Sequence, residues 1–89
     1  MEEKVLQIIN HYGVNHQQRK LQEEVFELNE AILEHRLADG ITYHIAEELA
    51  DVIVMLFQFK EYYKIDGKEI MDIMNQKIER QLRRIANGK

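Results

Sequence analysis

The chain has no cysteine and no proline, and only four glycines among its 89 residues. Without cysteine, disulfide scaffolds, thiolate zinc sites and cysteine nucleophiles are excluded, which fits a reducing compartment. The missing proline, and glycines that fall between the periodic segments, favour an all-helical fold. Long apolar runs are absent too: the longest, Val52 to Phe57, is far below the ~20 residues a membrane span needs. The start, Met1-Glu2-Glu3-Lys4, lacks the basic region and apolar run of a signal peptide, and a cytoplasmic protein with no membrane partner is expected. A formal net charge of -4 argues against binding duplex nucleic acid, which needs clustered Lys and Arg. One domain over residues 1–89 is expected. A chain this short buries only about 60 to 65% of its unfolded surface, so self-association is the expected source of further burial.

What is present is an acidic signature that occurs twice. Gln22-Glu23-Glu24-Val25-Phe26-Glu27-Leu28 is followed, twenty-four residues further on, by Ala46-Glu47-Glu48-Leu49-Ala50-Asp51-Val52. The apolar positions repeat in register: Leu21, Val25, Leu28 and Ile32 are answered by Ile45, Leu49, Val52 and Leu56, the spacing of a helix face turned toward a core. At about 100° per residue, Glu24 and Glu48 fall about 60° off the centre of their stripes, and Glu27 and Asp51 about 120° off on the same side. Antiparallel packing of the two helices would bring these acidic rims together. Four partly buried carboxylates repel unless something positive lies between them, and a divalent metal is the natural candidate.

Four helices are expected. The first runs from about Glu2 to Tyr12, with Val5, Ile8, Ile9 and Tyr12 on one face, and stops at Gly13. A second, capped by Asn15, reaches Ala38 and is closed by Asp39-Gly40. Thr42 caps a third that reaches about Lys64. Asp66 with Glu69 resembles a capping box for the fourth, which carries Ile70, Met74, Ile78 and Ile85 to Asn87-Gly88. The β-branched run Val52 to Phe57 has strand propensity but reads as helix, because the 3.6-residue period continues through Phe59 and Tyr63. Ile53, Val54 and Phe57 point away from the stripe of Leu49, Val52 and Leu56. A helix apolar on both sides is buried on both sides, so a homodimer or homotetramer is expected to complete the bundle.

The paired motifs Glu-Glu-x-x-Glu (Glu23 to Glu27) and Glu-x-x-Asp (Glu48 to Asp51) resemble those of the MazG-like, all-α nucleoside triphosphate pyrophosphohydrolases. Downstream, Asn75-Gln76-Lys77-Ile78-Glu79-Arg80 is similar to the family's Asn-x-Lys-x-x-Arg element, and Lys20 stands three residues before the first Glu. The resemblance spans Lys20 to Arg80. It implies a magnesium-dependent hydrolase, with manganese a possible substitute, that splits a nucleoside triphosphate into monophosphate and pyrophosphate. It further implies Glu24, Glu27, Glu48 and Asp51 as metal ligands, Glu27 or Glu23 as the base that takes the water's proton, and Lys20, Asn75, Lys77 and Arg80 as substrate contacts. Phe26 departs from the small residue often found there. A close relative, phosphoribosyl-ATP pyrophosphohydrolase, typically has histidine where this chain has Met55, which makes that activity the second choice. The long insertions of the dimeric dUTPases are missing, so a broader or different nucleotide preference is expected.

Blander readings apply elsewhere. His11, His16, His35 and His44 read as surface or core residues, and no Glu-x-x-His pair of a di-iron bundle occurs. Arg83, Arg84 and Lys89 complement the negative end of the last helix. Phe57, Phe59, Tyr62 and Tyr63 are core or interface residues first and base-stacking platforms second. The alternative from another class is a non-catalytic, dimerising helical regulatory protein.

Overall fold

Glycine punctuation and unbroken helical periodicity produce four helices in the computed structural model, which describes residues 1–38 and 42–88. They are α1 (Glu2–Tyr12), α2 (Val14–Ala38), α3 (Tyr43–Tyr62) and α4 (Gly67–Ala86), with no strand among the described residues. The run Val52 to Phe57 is helical throughout. Among the described residues, no helix is long and apolar enough to cross a membrane.

The helix boundaries follow local chemistry, with some departures from expectation. Gly13, at φ 92°, closes α1 through its N–H to the Ile9 carbonyl; that left-handed backbone suits glycine. α2 starts at once at Val14, so Asn15 lies inside the helix and does not cap it. Thr42 holds the N-cap position of α3, but its side chain makes no capping bond, because its backbone is already helical at φ -73°, ψ -10°. An N-cap side chain reaches the next turn from an extended backbone. Asp66 has that extended backbone and accepts a hydrogen bond from the Lys68 N–H at 3.0 Å. α3 ends at Tyr62, two residues short of Lys64, which takes a left-handed φ of 56°. The expected stop at Asp39-Gly40, and Lys89, lie outside the described residues.

α3 is the central element and lies against both α1 and α2. α2 and α3 run antiparallel: Gln17 meets Gln58 at one end, while Glu24 and Glu27 meet Glu48 toward the other. The interior holds Val5, Ile9, Ala31, Val52 and Met55, together with Gln17, Glu24 and Gln58. α2 therefore turns inward not the stripe of Leu21, Val25, Leu28 and Ile32 but the face carrying Gln17, Glu24 and Ala31. Val25, Ile32, Leu49 and Leu56 are exposed. Glu24 thus sits within the buried face rather than on its rim.

Much apolar surface stays open. α4 buries no side chain, and Ile73, Met74, Ile78, Leu82 and Ile85 along it are exposed. The chain exposes 7338 Å², where a compact monomer of 10.7 kDa exposes about 5,500 Å². Its radius of gyration is 16.2 Å, against about 12 Å for a compact domain of this length.

Candidate functional site

The face on which α2 meets α3 carries a carboxylate cluster. One carboxylate oxygen from each of Glu24, Glu27 and Glu48 lies within 4.8 Å of the others. Glu24 is buried, Glu48 half-buried and Glu27 exposed. The two inner residues are held alike, each by a basic residue one helical turn earlier. Lys20 Nζ stands 3.3 Å from Glu24 Oε1, and His44 Nε2 stands 3.4 Å from Glu48 Oε1. In both, the remaining oxygen, Oε2, is buried without a hydrogen-bond partner. Lys20 also lies 3.6 Å from Glu23 Oε2. Its bond to Glu24, with the charges of Glu24 and Glu23, raises the Lys20 pKa above the ordinary lysine value.

This arrangement is costly for a folded chain by itself. A buried carboxylate oxygen with no partner forfeits its hydration, and the two on facing helices also repel each other. A cation set among them removes both penalties. The donors are all carboxylate oxygens, which suit a hard divalent ion and not a thiophilic one. The residues present therefore fit a divalent cation.

The family model of the MazG nucleotide pyrophosphohydrolase domain matches residues 14–85. The chain belongs to this family. No curated protein and no solved structure matches it. The matched span takes in α2, α3 and nearly all of α4 and leaves α1 outside. It contains the whole carboxylate cluster, so the acidic face of α2 and α3 lies within the MazG domain.

The other residues expected at the MazG site are placed unevenly. Asp51, three residues beyond Glu48 on α3, is exposed and lies outside the cluster of three. Glu23 is exposed and reaches Lys20. Asn75, Lys77 and Arg80 are exposed on α4, and among the described residues neither cation forms an ion pair with the carboxylates. His44, expected as a surface or core residue, bridges Glu48 and Glu34, with Nδ1 3.7 Å from Glu34 Oε2. A legible signal existed: Lys20 precedes Glu24 by four residues, as His44 precedes Glu48.

Proposed function

We propose that residues 1–89 form one MazG-like domain acting as a magnesium-dependent nucleoside triphosphate pyrophosphohydrolase, a cytoplasmic homodimer or homotetramer. It converts an NTP or dNTP and water into the monophosphate and pyrophosphate. The observation that carries this reading is the pair of buried, partnerless oxygens on Glu24 and Glu48 beside Glu27. Glu24, Glu27 and Glu48, with Asp51 on the next turn, would hold magnesium, for which manganese would substitute. The ion would supply charge neutralisation for the triphosphate and a more acidic, oriented water.

The chain's own residues do the rest. Glu27, in the cluster, and Glu23, next to Glu24 in sequence, are exposed; either would accept the water's proton as the water oxygen bonds to the α-phosphorus and the bond from that phosphorus to the α–β bridging oxygen breaks, releasing pyrophosphate. Lys20, 3.3 Å from Glu24 Oε1, would meet phosphate charge at the edge of the cluster. Lys77, Arg80 and Asn75 supply further phosphate, sugar or base contacts from α4.

Product analysis tests the reading. Monophosphate plus pyrophosphate is expected from a panel of canonical nucleoside triphosphates with magnesium. Diphosphate plus orthophosphate would place the cut at the wrong bond, and no turnover despite bound metal would favour the non-catalytic helical role. A second expectation concerns the cation on α4. Hydrogen bonds to charged groups contribute about 1.5 to 3 kcal/mol, so Lys77→Ala should lower kcat/KM by roughly 10- to 100-fold. Lys77 is exposed, so the melting temperature should hold. An unchanged kcat/KM would remove Lys77 from the site.

A further inference from the structure

Beside the carboxylate cluster lies an open cleft of about 470 Å³, whose walls include Tyr12, His16, Gln17, Lys20, Glu23 and Met55. Its volume is that of a small-molecule site. Lys20 belongs to both places, since it lines the cleft and pairs with Glu24. Gln17 and Glu24 share one face of α2, two turns and about 10 Å apart. The cleft is within reach of the nucleoside end of a nucleotide whose phosphates meet the carboxylates through a cation.

The inner end of the cleft is polar in a way that stability does not explain. Gln17 and Gln58 are 3% and 2% exposed, and with Glu24 they share the interior with only five buried apolar side chains among the described residues. A matched apolar pair at such positions is as stable or more so. The two amides are also fixed in sense. Gln58 Nε2 donates to the Met55 sulfur at 3.6 Å, and a thioether only accepts. Gln58 Oε1 must then face Gln17 Nε2, which donates to it at 2.8 Å. That leaves Gln17 Oε1 turned toward His16, whose Nδ1 stands 2.7 Å away. A carbonyl oxygen has two lone pairs, and His16 occupies one of them. Next to it the Tyr12 and His16 rings stack, 5.1 Å between centroids and 17° between planes, with Tyr12 exposed. An aromatic face beside a fixed acceptor is how a flat heterocycle is held and read.

We propose that this cleft is the nucleobase subsite and that Gln17 Oε1, oriented by Gln58 and Met55, selects bases carrying an amino group, adenine or cytosine, over their keto counterparts. The proposal rests on the nucleotide reading of the carboxylate cluster. The amino group donates to the free lone pair of Gln17 Oε1, whereas a keto oxygen there would face another acceptor. Tyr12 stacks on the base whatever its edge. Tyr12 and Gln17 are thus substrate-binding residues, and Gln58 and Met55 are positioning residues that act through Gln17.

The test uses matched pairs, ATP with ITP and CTP with UTP, on the magnesium-loaded protein. The amino member of each pair is expected to have kcat/KM at least about tenfold higher. Gln17→Met should bring each ratio to about one. Gln58→Leu removes the 2.8 Å acceptor of Gln17 Nε2 and leaves that amide only the 3.9 Å contact to the Met55 sulfur and the His16 ring; it too should shrink the ratio toward one, which keeps the proposal open to refutation if Gln17→Met does not fold. Tyr12→Ala should raise KM roughly tenfold for every nucleotide and leave the ratios intact. Nucleosides separate this proposal from the hydrolysis itself: cytidine, which has no phosphate, should shift the Gln17 and Gln58 side-chain amide resonances more than uridine does. Turnover of triphosphates with ratios near one, or with those amides unmoved by cytidine, overturns the subsite and leaves the hydrolase standing. Cytidine-induced shifts without any turnover would uphold the subsite and remove the hydrolase.

Discussion

Replacing Glu48 by Gln is expected to lower magnesium-dependent turnover by more than about 100-fold, since even residues that merely support metal ligands cost 10- to 100-fold. The metal-free protein should melt at the same temperature or higher. Both effects have one origin. Glu48 keeps only 14% of its side chain exposed, and its Oε2 is buried without a partner, as is that of Glu24 across the helix pair. Without a cation, two such carboxylates in one place repel. Glutamine preserves the shape of Glu48 and removes one of the charges, so the strain falls while the donor set loses a ligand. Magnesium held by the folded state alone would raise the wild-type melting temperature; in the variant that rise should shrink toward zero. Differential scanning fluorimetry across a magnesium series, beside a pyrophosphate-release assay, measures both sides. A variant that keeps its turnover, or whose metal-free stability drops sharply, would mean that Glu48 is a structural residue.

The same residue shows what sequence reasoning reaches and what it does not. Glu24 and Glu48 stood out because two acidic motifs repeat in register with two apolar stripes, and the four helices were legible because no proline interrupts the period. Depth was not legible. Both carboxylates were expected on the rims of stripes that contain Val25 and Leu49, yet Glu24 is buried while Val25 and Leu49 remain 48% and 43% exposed. Periodicity locates apolar groups around a helix axis; it does not say which face a neighbouring helix of the same chain will take. α2 and α3 meet through the face bearing Gln17, Met55 and Gln58, and the link from Gln17 to Gln58 spans 41 positions of sequence. No local pattern encodes a pairing that distant. One trace did exist, since Gln17, Glu24 and Ala31 recur at seven-residue intervals, the spacing of a helix face packed along its length.

Val54→Asp should dissociate the assembly or unfold the chain, destabilising each subunit by more than about 3 kcal/mol. In a single chain Val54 is 43% exposed, with Ile53 at 46% and Phe57 at 38%, and a polar substitution at so open a position would ordinarily change stability by no more than about 0.5 kcal/mol. The two expectations differ because the proposed second copy would cover this open apolar surface. The exposed area exceeds that of a compact monomer by about 1,800 Å², so a pair of chains covering it would bury an area in the range of obligate homodimers. An apolar groove between α3 and α4, lined by Ile53, Leu56, Phe57, Ile70, Met71 and Met74, would belong to the surface a second copy closes. An aspartate placed there loses its water and gains no cation. Light scattering at micromolar concentration, with chemical denaturation of the wild type and the variant, gives the reading. A wild-type protein that scatters as a monomer, or a variant whose assembly and stability are unchanged, would show that α3 and α4 stand open to solvent and that α1, α2 and α3 alone hold the fold.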